Sequence, residues 1–334
     1  MKWRCFSISY FGAIPLGLSL TSGFFFICLV GCSSLSIDSA KGLGTAGLEA
    51  SVQNAANIFA SDDEYQSTMD AEAFFHGFAG MSVPQKLFDN YKTIQAELST
   101  RRIVFSNLGD VYGAFSSLVA IDAATGVETA INGLGDAVNG YASALNKSPV
   151  ISSSAQGVIA RIGGLTAAEI QKEKINQSSV LIRERLTAFA KLFEDPLVRA
   201  QMVTFKQNLA QTRSSAIQLL WKKGVFDPSP LINQMGTDIG LTASKDVIKI
   251  VNDQNDKTIS SGLEKVIVAR LNRRIDLIEQ GYDASVKTVK ELIKKHEELE
   301  KGEELSLTRL RQIIAELQHI TDLLVPKASS SERK

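Results

Sequence analysis

Nucleophiles, bases and metal ligands are scarce in this chain of 334 residues, which has only three histidines and three cysteines. His296-Glu297-Glu298 sets a histidine beside two acids, but a zinc-holding helix needs a second histidine one turn on, where Glu300 stands. His76 and His319 have no acid or cysteine cluster at ligand spacing, so all three histidines are read as solvated or packing residues. Asp253-Gln-Asn255-Asp-Lys257 through Glu264 has the span of a calcium loop, with Asp first, Asn third and Glu last. Lys257 puts a cation where a ligand oxygen belongs and Thr258 replaces the turn glycine, so a polar helix surface or a break between helices is expected. Gly42-Leu-Gly44-Thr-Ala-Gly47 matches G-x-G-x-x-G, and Asp62 follows at the distance of a ribose-binding acid. That fingerprint holds a dinucleotide only when a strand precedes it; here a serine-rich stretch does, and a flexible linker is expected instead. No catalytic residue, cofactor or metal site is expected.

Cys32 is the exception. The chain opens Met-Lys-Trp-Arg, and Lys2 and Arg4 are its only charges before Asp38, so a basic start leads into a long apolar run, the layout of a secretory signal. The run ends in Leu29-Val30-Gly31-Cys32. That tetrad resembles the lipobox of bacterial lipoproteins, a resemblance confined to the first thirty-odd residues. It implies a signal peptide over 1–31, cleavage before Cys32, a diacylglyceryl group on the Cys32 sulfur and acylation, usually palmitate, of the new amine. Several acyl chains, at about 0.8 kcal/mol per buried methylene, exceed what stable anchoring needs. The resemblance further implies, from Ser33 in place of Asp, export to the outer membrane. The rival reading is an uncleaved anchor, since about 20 apolar residues span a bilayer. Lys2 and Arg4 stay in the cytoplasm on both readings, so the body lies across the membrane from them.

Cys5 and Cys28 fall within the signal, so cleavage leaves Cys32 alone and acylated, with no disulfide framework. Losing Lys2 and Arg4 changes the balance from 36 basic against 36 acidic residues to 34 against 36, a net charge of −2. A near-neutral chain gives no electrostatic case for nucleic acid.

Residues 32–47 are small, polar and rich in glycine, and are expected to form a flexible tether with a reach on the order of 20 Å. Residues 48–325 are expected to form the folded domain and 326–334 a disordered tail. Within the domain, Leu87, Tyr91, Ile94, Leu98, Phe105, Leu108, Tyr112, Phe115 and Val119 alternate by fours and threes, broken near Arg101. Val127, Ile131, Leu134, Val138, Tyr141 and Leu145 form a second series. Such alternation is the seam of helices packed side by side. Helix starts are marked by Ser61-Asp-Asp-Glu64, Ser82-Val-Pro-Gln85 and Thr166-Ala-Ala-Glu169, and by Asp195-Pro196 and Asp227-Pro228. Gly224 after Trp221-Lys222-Lys223 marks a helix end. The marks divide the chain into helices near 61–80, 83–124, 126–147, 152–163, 166–194, 196–223, 229–260, 261–301 and 306–325, with continuity allowed across Gly126, Gly240 and Gly281. The expected fold class is all-α, an elongated bundle of long antiparallel helices.

From Ile103 to Ala168 the only charges are Asp110, Asp122, Glu128, Asp136, Lys147 and Arg161. Two readings compete for residues 103–168: central helices buried on several sides, or an amphipathic hairpin that inserts into a bilayer as in α-helical pore-forming toxins. No uncharged run reaches 18 residues, and a charge at mid-bilayer costs about 2.5–3.5 kcal/mol, so buried helices are expected. Leu292 and Leu299, a heptad apart among lysines and glutamates, suggest a helix that buries a narrow seam and solvates its other faces. The expectation for function is a lipid-anchored envelope protein that presents helix faces to partner proteins or to itself and is not an enzyme. The alternatives are membrane activity through residues 103–168 and carriage of an apolar ligand between helices.

Overall fold

The computed structural model describes residues 36–118, 124–152, 166–222, 229–238, 240 and 257–325. They form an all-α bundle, as the seam pattern requires, with α1 (Ile37–Ala79), α2 (Gln85–Ser117), α3 (Ala124–Ala144), α4 (Ala167–Phe193), α5 (Pro196–Lys222), α6 (Ser229–Asp238), α7 (Lys257–Glu300) and α8 (Thr308–Leu324). No strand occurs among the described residues. None of their helices is long and apolar enough to cross a membrane. Cys32 and the signal-like segment, all but the first residue of the expected helix over 152–163, the marks at Gly224 and Asp227-Pro228 and the tail 326–334 lie outside the described residues.

The tether expected over 32–47 is corrected by α1, which already runs from Ile37. Ser36 caps it, its hydroxyl accepting the Ser39 N–H at 3.3 Å, with Asp38 in the first turn to favour the positive helix end. The small residues that looked like linker are the packing surface. Ala40, Leu43, Ala46 and Ala50 are buried, and Gly44 and Gly47 let α2 lie against α1 without side chains between them. A Cβ on Gly47 would sit 2.4 Å from the Tyr112 ring, and one on Gly44 would meet the Ser116 backbone at 3.1 Å. Gly47→Ala therefore destabilises the fold by about 1–3 kcal/mol through overpacking, which outweighs the gain of about 1 kcal/mol in helix propensity. Gly113→Ala, whose Cβ meets nothing within 4 Å, stabilises by about 0.5–1 kcal/mol. Urea unfolding of the two variants beside wild type checks the opposite signs.

α1 continues through Ser61-Asp-Asp-Glu64, which is no helix start: the Ser61 hydroxyl donates to the Asn57 carbonyl at 2.8 Å, mid-helix. It ends where Gly80 turns left-handed at φ 72° and its N–H and that of Met81 close back onto Gly77 and His76. A short connection then brings α2 back along α1. Ser82 caps nothing; α2 starts after Pro84, which offers no side chain to its first turn. Thr166 and Glu169 do form the reciprocal capping box of α4, and the Asp195 carboxylate accepts the Leu197 N–H at 2.9 Å at the start of α5.

Every residue of both expected seams that the structure describes is buried. The apparent break near Arg101 is no break: Arg101 occupies the next seam position after Leu98 and is itself buried. α1 packs against α2, α4, α5, α7 and α8. This central place explains its run of small residues, since a helix surrounded by neighbours has no room for long side chains on most faces. In the low-charge segment, Val104, Phe105, Leu108, Val111, Tyr112 and Phe115 on α2 and the α3 seam face the core. α7 crosses the expected boundary at 260–261 without interruption. It also passes straight through Gly281, whose missing side chain makes room for Asn57 of α1, 2.5 Å from the Cβ position.

Candidate functional site

The buried polar residues gather into networks that tie the helices together, and the most developed is centred on His296 of α7. The ring is fully buried and lies nearly parallel to Tyr112 of α2, with centroids 5.8 Å apart. Its Nε2 is 3.0 Å from the Tyr112 hydroxyl and its Nδ1 is 2.8 Å from Ser179 Oγ on α4. Ser179 Oγ donates to Glu300 Oε1 at 3.2 Å, and Glu300 in turn holds Arg183 through contacts of 2.9 and 3.0 Å from its Nε. One proton arrangement satisfies all of these. Nδ1–H donates to Ser179, Ser179 donates to Glu300, and Tyr112 donates to a bare Nε2. Burial first, and the Arg183 charge second, push the imidazole down to about 3, so the ring is neutral. Burial likewise holds the Tyr112 phenol well above its ordinary value.

A serine hydrogen-bonded to a histidine is the core of a nucleophile–base pair. Here both are fully buried, and Ser179 is committed as donor to Glu300, so no substrate carbonyl reaches Oγ in this fold. The network is a clamp joining α2, α4 and α7. Reading α7 as a narrow seam with solvated faces is corrected accordingly: beside Leu292 and Leu299, Lys295 and His296 are buried, Lys295 between Glu291 at 3.4 Å and Glu298 at 2.7 Å.

A second network lies where α2, α3, α4 and α7 meet. Arg101 pairs with Glu97 at 3.1 Å, Tyr141 donates to the other Glu97 oxygen at 2.7 Å, and the guanidinium stands 5.1 Å from both the Phe193 and Tyr282 rings. Burial raises Tyr282 to about 12, and its hydroxyl donates to the Phe193 carbonyl. Neither network was apparent from spacing, because their members come from helices far apart in the chain. The signal that was present is the polar residue at a seam position, Arg101.

His76 belongs to a third cluster. It is buried beside Glu72, its Nδ1–H donating to the Glu72 carbonyl oxygen at 2.8 Å, while Thr212 of α5 reaches the Glu72 carboxylate at 3.3 Å. His319 is exposed. Gly42, Gly44 and Gly47, offered by spacing as a dinucleotide loop, are helical and meet Leu307, Ser116 and Tyr112. The second half of the calcium-like stretch, from Lys257, is helix α7 rather than a loop; its first residues, 253–256, lie outside the described residues. Among the described residues no group of three or more His, Cys, Asp or Glu is placed to hold a metal. No protein-family model, curated protein or solved structure matches the chain.

Proposed function

We propose that the protein is a bacterial envelope lipoprotein, held by acyl chains on Cys32, whose helical body serves as a non-catalytic scaffold for protein contacts. The tetrad Leu29-Val30-Gly31-Cys32 behind an apolar run carries this reading. The start of α1 supports it: only four residues separate Cys32 from Ile37, so a lipid on that cysteine would be joined almost directly to a helix of 43 residues, about 64 Å long. A linker that short keeps the start of α1 within about 17 Å of the lipid attachment, which suits a body held close to the bilayer.

The polar networks support a scaffold over a catalyst, because their serine, histidine and acids are spent on one another inside the bundle. Burial of the apolar seams of α2 and α3 supports a packed body over an inserting hairpin. Ser33 directs the proposal to the outer membrane, and near-neutral charge to protein partners or a second copy over nucleic acid.

Intact mass of the protein from membranes, wild type beside Cys32→Ala, tests the anchor. The expected wild-type chain starts at Cys32 and carries acyl mass. Cys32→Ala loses that mass and is not processed at this site. A wild-type chain beginning at Met1, with an unmodified thiol, overturns the proposal.

A further inference from the structure

One face of α1 carries a second seam, open to water. Thr45, Leu48, Val52, Ala56 and Phe59 are exposed along it, spaced by fours and threes, with Lys41 exposed before them and Asp63 after. Leu48 is 39 % exposed, and Val52 and Phe59 are 60 % exposed. Beside this seam runs an open groove of about 540 Å³ between α1 and α2, with Gly109 and Gly113 on its α2 wall. Ile103 of α2, on the same side, is 49 % exposed. The register of the two helices follows from their close contacts: Gly44 lies against Ser116, Gly47 against Tyr112, and Gly109 against Leu48 and Ser51. That register sets Val52 abreast of Ser106, and both line the groove.

Counted outward from Val52, the spacing of the seam is the same in both directions, and the side chains at matching positions differ in kind. Leu48 matches Ala56, Thr45 matches Phe59, and Lys41 matches Asp63. Counted from Ser106 on α2, Ile103 matches Gly109 and Arg102 matches Asp110. Large answers small and basic answers acidic at each of these steps.

We infer that this face of α1 and α2 is the contact of a two-fold symmetric dimer, in which a second copy of the chain lies antiparallel across it and the axis passes by Val52 and Ser106. In such a contact each residue meets its match, so Lys41 and Arg102 meet Asp63 and Asp110 of the partner subunit, and the reverse pairs form as well. Phe59 of the partner subunit comes over Thr45, beside Gly113, whose Cβ position has nothing within 4 Å. Glu49 falls opposite Ala55, about 9 Å along the axis from its own copy, so the two acids do not meet. A parallel pairing would instead set Lys41 against Lys41 and Asp63 against Asp63. The stretch 41–63 is about 33 Å long and two helices are about 20 Å wide, so the contact buries on the order of 1,300 Å² in total, above the roughly 1,000 Å² that a specific interface needs. The inference rests on the scaffold reading of the body and names its partner; it makes no use of Cys32, whose intact-mass test succeeds or fails separately.

Val52→Cys in the full chain, oxidised mildly in membranes, tests the axis, with wild type as the control for background thiols and Phe78→Cys as a comparably exposed position at the other end of α1. Val52→Cys alone is expected to give a disulfide-linked dimer. Sedimentation equilibrium of the full chain in density-matched non-ionic detergent tests the pairing. Lys41→Glu and Asp63→Lys each weaken dimerisation by about tenfold or more, and the two changes in one chain restore it to within about threefold of wild type. Both side chains are exposed, so misfolding does not account for the weakening, and recovery in the double change is a result that only paired charges give. A monomer at every concentration, unchanged affinity in Lys41→Glu, no recovery in the double change, or a Val52→Cys product linked to a different protein each overturns the assignment.

Discussion

Glu97→Ala lowers the unfolding free energy by about 3–5 kcal/mol, the range for stripping one partner from a buried ion pair. Glu97 and Arg101 are 4 % and 3 % exposed, so water does not replace the lost carboxylate. Two donors lose their acceptor together: the Arg101 guanidinium at 3.1 Å and the Tyr141 hydroxyl at 2.7 Å. The Phe193 and Tyr282 faces, 5.1 Å from the guanidinium, still attract the charge but accept no conventional hydrogen bond. Glu97→Gln keeps an acceptor for Tyr141 while losing the ionic attraction, and its cost falls between wild type and Glu97→Ala. Joining Glu97→Leu to Arg101→Met removes both charges and recovers much of the loss, since a buried pair adds little over apolar groups of similar volume. Urea unfolding with unchanged m-values measures each variant, and the double-mutant cycle isolates the coupling. Additive effects of the two single changes would show that the pair is not what holds these helices.

The same position shows how far the residues alone lead. Apolar spacing identified the seams of α2 and α3 because packing imposes a period on the sequence, and burial of Leu98, Phe105, Leu134 and Tyr141 follows from it directly. Spacing treats a charge as an interruption, so Arg101 looked like a defect when it is a seam residue whose partner lies one turn back on α2. Residues 37–47 failed for the opposite reason. Glycine and alanine are equally at home in a coil and in a tightly crossed helix pair, and only the presence of Tyr112 and Ser116 opposite Gly47 and Gly44 decides between them. Ser179 and His296 carry no local mark of pairing, being brought together by α4 and α7 across more than a hundred residues of chain. Caps were readable where side chain and backbone meet within a few residues, at Thr166 and Asp195, and misleading at Ser61, where the same pattern lies inside a longer helix.

Acid weakens the fold through His296 before it protonates most carboxylates. In the unfolded chain a histidine titrates near 6.5, whereas burial holds the folded imidazole down to about 3. Between those values the unfolded chain binds a proton that the folded protein refuses, so stability is greatest above the upper value and falls as the pH drops through the window. The slope is about 1.4 kcal/mol per pH unit, giving a loss of about 2 kcal/mol by pH 5. Protonation inside the fold offers no escape. Nδ1 already donates to Ser179, a proton on Nε2 would face the Tyr112 hydroxyl that donates there, and Glu300 is engaged by Arg183. His296→Gln removes the titrating ring, and its stability is flatter than wild type between pH 6.5 and 4.5, even though its stability at pH 7 is lower. Subtracting the two urea-unfolding profiles cancels the carboxylates common to both, including Asp195, which is lowered by its hydrogen bond with Lys147 and acts at more acid pH. Parallel profiles through that interval would mean that the buried imidazole takes up its proton in the folded state as readily as in the unfolded chain, and the neutral clamp between α2, α4 and α7 would have to be abandoned.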